Sequence, residues 1–215
     1  MKDLVFFIPA QETNKYHKLG DLAPFGDTTL LQWKISQCKK VVGDDCIYIS
    51  STSDKIKDVS IIENVSNIRR SNLSIEKELK LFAEKIKENT IIWANVTSPF
   101  LGNFEFSKMY RQFVDSDCDL LMSVLEKKDY AFYHGERINF KSKFIDRSDI
   151  DPIVLATNGV YIFNKKYISQ DNDLLDTERI HLYRLDKLPA IEIKDILDYS
   201  ISQELISLYF SNMID

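Results

Sequence analysis

Between residues 4 and 124, short apolar runs alternate with helix-period stripes, and this alternation restricts the fold more than any other feature of the chain. The first run, Val5-Phe6-Phe7-Ile8, is halted by Pro9, as a buried strand would be. Residues 28–42 then carry Leu31, Ile35, Cys38 and Val42 at helical spacing, with Asp27 or Thr28 as cap and Gly43 as the C′ stop. Residues 46–51 read as a second strand, Ser53-Asp54 opens a short helix, and Ser60-Ile61-Ile62 reads as a brief third strand. Ser74 caps a helix that buries Ile75, Leu79, Phe82 and Ile86, and residues 90–95 form a strand broken by Thr97-Ser98-Pro99. Phe106, Met109, Tyr110 and Phe113 mark the next helix, and residues 119–124 the next strand. The expected class is therefore α/β: a doubly wound, mostly parallel sheet with helices on both faces.

The rhythm changes over residues 125–157, which are charged and aromatic and read as hairpin or irregular structure, a lid or a dimerisation arm. Strand character returns at 159–164, 180–185 and 190–193. A closing helix over 195–211 turns Leu197, Ile201, Leu205 and Leu208 inward. No repeat, low-complexity tract or linker interrupts the 215 residues, which suits a single domain over 1–215 with the 125–157 insertion inside it.

The formal charge of −5 argues against a general nucleic-acid surface. Any phosphate ligand has to be held by local cations. No apolar run is long enough to span a membrane, and Lys2-Asp3 leads directly into the first strand without a signal-type layout. Cys38, Cys46 and Cys118 are odd in number and lack metal-type spacing, which suits reduced thiols in a cytoplasm; they read as small core hydrophobes.

The loop after the first strand is the first candidate site. In a parallel sheet it lies at the carboxyl edge, where ligands bind, and Lys15 and Lys18 there are suited to a polyphosphate. The alternative is a solvated surface loop. Arg69 or Arg70 would fork onto phosphate or ribose oxygens, or form a surface ion pair. Asn95 and Ser98 stand at a strand's end, able to read a base or sugar edge, or simply to make the turn. Asn158-Gly159 reads as a tight turn, Glu192 as an edge-of-sheet carboxylate, and Asp198 as a helix cap or an orienting group. His134, Arg137 and the aromatics around them either close over an acceptor or form an interface.

Taken together, these pieces resemble the acylneuraminate cytidylyltransferase family. The family's Ile-Pro-Ala-Arg…Ser-Lys…Lys-Asn signature is similar to Ile8-Pro9-Ala10-Gln11…Asn14-Lys15…Lys18-Leu19, and its Val-Ser-Thr-Asp segment to Ile49-Ser50-Ser51-Thr52-Ser53-Asp54. Its arginine-proline turn resembles Ile68-Arg69-Arg70-Ser71-Asn72-Leu73, and its Gln-Pro-Thr-Ser-Pro-Leu motif resembles Asn95-Val96-Thr97-Ser98-Pro99-Phe100. Asn158-Gly159-Val160-Tyr161 and Ile191-Glu192-Ile193-Lys194…Leu197-Asp198 follow in the family's order, with Pro152 before them, so that the match spans nearly the whole chain.

The resemblance implies the nucleotide-diphospho-sugar transferase-like fold and a cytoplasmic homodimer joined through 125–157. It also implies Mg²⁺-dependent transfer of CMP from CTP to an acidic sugar for surface glycans. On this reading Lys18 meets the α-phosphate and Lys15 the β,γ end. Ala10, Gln11, Asn14, Arg69, Arg70, Asn95 and Ser98 hold the nucleotide, Asn158 and Arg147 the acceptor, and Glu192 and Asp198 the metal. Gln11 stands for the family's arginine, Leu19 for its asparagine and Lys194 for its second closing carboxylate. A lysine cannot ligate a cation. A phosphonate or sugar-phosphate acceptor, or a non-catalytic nucleotide-binding paralogue, are the alternatives these departures raise.

Overall fold

The computed structural model describes residues 3–70, 74–141, 143–169 and 173–210. In chain order the elements are β1 (Leu4–Pro9), β2 (Pro24–Phe25), β3 (Thr28–Thr29), α1 (Leu30–Lys39), β4 (Ile47–Ser51), α2 (Asp54–Ile62), β5 (Ser66–Arg69) and α3 (Ile75–Ala83). They continue with β6 (Thr90–Ala94), α4 (Asn103–Asp115), β7 (Leu120–Lys127), β8 (Phe132–Tyr133), β9 (Glu136–Arg137), β10 (Ile153–Asn164), α5 (Lys165–Ser169), β11 (Ile180–Arg184) and α6 (Ile196–Phe210).

Seven strands form one sheet in the order β11-β7-β10-β6-β1-β4-β5. β10 runs antiparallel to both neighbours, and the other pairings are parallel. β1 shows why helices cover both faces: Leu4, Phe6 and Ile8 enter one apolar cluster, and Val5 and Phe7 the other, as a period of two requires. The first cluster takes side chains from α1, α2, α4 and α6, the second from α3 and α5. Phe6 meets Phe106 of α4 at 5.1 Å between ring centroids, and Phe7 meets Phe82 of α3 at the same separation.

Four local expectations need correction. Ser60-Ile61-Ile62 is the end of α2, because Ser53 caps that helix and its turns carry on to an αL stop at Asn64 (φ 54°). The Val65 amide donates to Ser60 O at 3.0 Å, closing a Schellman-type end, and the strand follows at Ser66. α1 is capped by Thr29, whose hydroxyl accepts from the Gln32 amide, and it ends before Gly43, which has an ordinary φ of −71°. Residues 190–193 form no strand: the amides of Ala190 and Ile191 turn back to Asp186 and Leu188, and only Ile193 reaches the Thr97 carbonyl, at 2.8 Å.

In α6 the inward residues are Tyr199, Ser202 and Ile206, while Leu197, Ile201 and Leu208 are exposed. Apolar residues occur around the whole circumference of the helix, so spacing alone did not choose a face. Tyr199 settles it by stacking on Tyr16 and donating to Pro24 O at 2.6 Å. Ser211 and Ser71-Asn72-Leu73 lie outside the described residues.

The expected hairpin region is present as an arm. β7 and β10 pair outward as far as Lys127 and Ile153, and β8 and β9 form a tip turning through His134 (φ 49°) and Gly135 (φ 83°), the sign pattern of a type I′ turn. Asn139 knits the arm together: its Nδ2 donates to Asp129 O and Asp151 O, and its Oδ1 accepts from the Ala131 amide. No helix among the described residues is long and apolar enough to cross a membrane.

Candidate active site

The loop leaving β1 folds around a buried carboxylate. Asp21 accepts from the Gln11 amide at 2.7 Å and from the Tyr16 hydroxyl, while its own amide returns to Gln11 O at 2.9 Å. Burial pushes the Asp21 carboxyl up to about 6, against the pull of those two hydrogen bonds. Burial, and then the charge of Asp21, push the Tyr16 phenol far above its ordinary range. Gly20 makes the return possible at φ +51°, because a Cβ there would stand 2.7 Å from the Thr13 amide nitrogen.

Beside this loop is a cavity of about 270 Å³ lined by Pro9, Gln11, Asn14, Asp21, Arg70, Ile75, Trp93, Asn95, Val96 and Thr97. It sits at the carboxyl ends of β1 and β6. From β1 the chain winds outward through β4 and β5, then returns across to β6, so the cavity lies at the topological switch point, where open α/β sheets bind ligands.

The far wall is a hydrogen-bonded relay of fixed orientation. Trp93 Nε1 donates to Asn95 Oδ1 at 2.7 Å, Asn95 Nδ2 donates to Asn158 O, and the Tyr161 hydroxyl donates to Asn158 Oδ1 at 2.6 Å. Asn158 holds φ +51° where the β7–β10 register breaks, a conformation asparagine tolerates better than most residues. The Ser123 hydroxyl fills the break by accepting from the Val160 amide at 3.0 Å and meeting Thr157 Oγ1 at 2.7 Å. The turn after β6 is held from below by the buried Lys34, whose ammonium donates to Ser98 O at 2.8 Å and Leu101 O at 2.6 Å. Burial lowers its pKa to about 8.

Gln11, Asn14, Arg70 and Asn95 therefore come together around one cavity. Ala10 is buried behind them, its amide donating to Ser50 O at 2.9 Å. Lys15 and Lys18 are exposed and are not among the lining residues: the loop turns Tyr16 inward to Asp21, which leaves its neighbours facing solvent. Arg69 points away, 3.4 Å from Asp54. Ser98 is buried, with no hydrogen bond to its hydroxyl. Arg147 is on the arm, exposed and 3.7 Å from Asp129.

Glu192 is nearly buried, with Lys194 Nζ 3.2 Å from its Oε2 but no hydrogen bond made there. Its charge, after burial, raises the Tyr161 phenol. Asp195 caps α6, its Oδ1 accepting from the Leu197 and Asp198 amides, and Asp198 reaches back from the first turn to accept from the Lys194 amide at 2.9 Å. Among the described residues, no group of three or more His, Cys, Asp or Glu is placed to hold a metal.

Sequence reasoning missed Trp93, Asp21, Lys34 and Glu78. Two left a signal: Trp93 interrupts an otherwise aliphatic strand, and Lys34 falls on the apolar stripe of α1, between Leu31 and Cys38. A larger cavity of about 420 Å³ opens elsewhere, between Trp33, Gln37, Phe104 and Pro189. None of the residues expected from sequence lines it, so the smaller cavity at the sheet rim is the candidate site.

The sheet order and its helical layers define the α/β nucleotide-diphospho-sugar transferase-like fold. Among solved structures, the chain is similar to a CMP:2-keto-3-deoxy-manno-octonic acid synthetase complexed with CTP, at 9% identity and TM-score 0.72, covering 97% of this chain and 100% of that one. It is also similar to a cytidylyltransferase from Leptospira borgpetersenii, at 16% identity and TM-score 0.68, with coverage of 96% and 87%. A 4-diphosphocytidyl-2C-methyl-D-erythritol synthase from Anaerococcus prevotii matches at 13% identity and TM-score 0.68, with coverage of 95% and 96%. No protein-family model and no curated protein sequence matches the chain.

Proposed function

We propose that this chain is a cytidylyltransferase that transfers CMP from CTP to an acidic sugar, sialic acid-like or another ulosonic acid, and releases pyrophosphate. The observation that carries the reading is the cavity at the β1/β6 switch point, where Gln11, Asn14, Arg70 and Asn95 converge. The likeness of the fold to a synthetase complexed with CTP supports it. In the reaction an acceptor oxygen attacks the α-phosphorus of CTP, a new P–O bond forms, and the bond to the β-phosphate breaks with its electron pair leaving on pyrophosphate. Such a step depends on in-line positioning and on neutralising charge spread over phosphate oxygens.

Arg70 is the cation lining the cavity and supplies that charge at the phosphates. Asn95, its amide orientation fixed by Trp93 and Asn158, reads a base or sugar edge. Asn158 and Arg147 belong to the proposal as acceptor contacts. Mg²⁺ belongs to it as the ion that accompanies the triphosphate and neutralises its charge. Glu192 is the carboxylate that would ligate it, in exchange for the Lys194 ammonium 3.2 Å from its Oε2, and one carboxylate with substrate phosphates suffices for such an ion. The chain is further proposed to be a cytoplasmic homodimer serving surface glycan synthesis, with the 125–157 arm at the interface and its three thiols reduced.

A phosphorylated acceptor is the second reading, supported by the likeness to a synthase whose product carries a cytidyl diphosphate. One assay separates the two: incubate the protein with CTP and Mg²⁺ and a panel of ulosonic acids, phosphonates and sugar phosphates, and follow pyrophosphate. Release with a sugar acid supports the first reading, and release only with a phosphonate or sugar phosphate the second. Absence of release, with CTP still raising the melting temperature, would leave a nucleotide-binding protein without turnover.

A further inference from the structure

We propose that Glu78 is a positioning residue: it holds Arg70 from behind, so that the guanidinium presents its outer N–H groups to the triphosphate. The inference rests on the reading of the rim cavity as the nucleotide site. Glu78 is in the first turn of α3 and almost completely buried, with its Oε2 3.0 Å from Arg70 Nε. The Ser50 hydroxyl, at the end of β4, donates to the same oxygen at 3.4 Å. Arg70 is anchored at its backbone too, its amide donating to Ser51 O at 2.9 Å.

The arrangement has a front and a back. Arg70 lines the rim cavity and also a small one of about 40 Å³ behind it, whereas Glu78 and Ser50 line only the one behind. Glu78 therefore acts on a ligand through Arg70. An arginine whose Nε stands in ion-pair contact with a buried carboxylate, without a directed N–H···O bond, keeps the N–H groups of both Nη atoms for a planar, multi-point contact, and little rotamer freedom is lost when a phosphate arrives. Arg69, one residue earlier, lacks this: it is exposed and meets the exposed Asp54. A buried carboxylate paired with an arginine at a cavity wall fits anion recognition better than it fits stability, because ion pairs taken out of water add little net stability.

The test is a double-mutant cycle read by CTP affinity and by KM against kcat. Arg70→Ala and Glu78→Ala should each raise the Kd and KM for CTP by about tenfold or more, the worth of a charge-assisted contact. Glu78→Gln, which keeps an acceptor of the same size without the charge, should fall between Glu78→Ala and wild type. In the Arg70→Ala background, Glu78→Gln should change CTP affinity no further, and this arm stands even where Glu78→Ala does not fold. Equal CTP affinity in wild type and both Glu78 variants would overturn the positioning role and leave the nucleotide site intact. Additive losses in the double variant would overturn it too, by showing that Glu78 acts elsewhere. A wild-type protein that binds no CTP would remove the site reading, and this inference with it.

Discussion

The hydroxyl of Tyr16 donates to the carboxylate of Asp21, and both side chains are buried beneath the loop that forms one lip of the rim cavity. This pair gives the loop its shape. With the Gln11 amide on the same carboxylate, it turns a polar stretch into a closed unit that presents Gln11 and Asn14 to the cavity and faces its lysines outward.

A pH dependence of stability follows from that burial. The folded Asp21 carboxyl titrates at about 6, above its ordinary value of 3.8, so the folded state holds the proton more tightly than the unfolded one. The favourable contribution is complete below pH 4 and is lost as the pH rises through 6, by about 3 kcal/mol. Asp21→Asn removes this dependence. Urea denaturation of both proteins should show the variant gaining about 3 kcal/mol on wild type between pH 4 and 7. A constant difference across that range would mean that Asp21 is ionised in the fold at acid pH.

Lys34 shows the opposite sign. Its folded pKa lies near 8, lowered by burial from 10.5, so wild type gains stability as the pH rises from 8 toward 10.5 and Lys34→Met does not. At neutral pH the variant leaves Ser98 O and Leu101 O without their buried donor, at a cost of about 3 kcal/mol. Denaturation midpoints at pH 7 and 9.5 test both points, and a variant as stable as wild type at pH 7 would rule out the bracing role.

Much of this fold was legible because the strands are buried on both faces: β1, β4, β6 and β7 read as short, mainly apolar runs, and β1 divides cleanly between two cores. The errors fell where one pattern fits two structures. Ser60-Ile61-Ile62 has the residues of a strand but ends a helix, and α6 carries apolar residues around its whole circumference, so tertiary contacts such as Tyr199 on Tyr16 chose its face. At the site, residue type marked Gln11, Asn14, Arg70 and Asn95 through a family likeness. Nothing local could reveal that Asp21 would be buried, or that Glu78 would stand behind Arg70, because both depend on contacts between distant segments.

Gly20→Ala should damage the loop more than any exposed substitution there. A side chain at φ +51° is strained, and its Cβ would press on the backbone of residues 11–13, costing about 2 kcal/mol or more. The expected result is a lowered melting temperature together with weakened CTP binding. Unchanged values for both would mean that the loop closes by another route.

The arm exposes Phe132, Tyr133 and Phe144, the last almost fully, which is unusual for so many aromatics in one place unless something covers them. If a second copy does, Phe144→Ser with Tyr133→Ser should shift sedimentation from dimer to monomer with the monomer fold intact by circular dichroism. A wild type that sediments as a monomer at micromolar concentration would exclude this interface.

The ranking of cations is the sharpest difference between sequence and structure. Motif likeness alone makes Lys18 essential, so that Lys18→Ala should abolish turnover with the fold intact. The geometry gives another order: Arg70 lines the cavity, whereas Lys15 and Lys18 are exposed outside it. Arg70→Ala should therefore raise KM for CTP about tenfold or more, while Lys15→Ala and Lys18→Ala each change it by less than about threefold, the effect of screened surface charge. An inactive Lys18→Ala protein that still binds CTP would require the loop to rearrange on binding and carry the ammonium to the phosphates. Because Gly20 and the Tyr16–Asp21 pair fix the loop, that movement would have to break the buried hydrogen bond first.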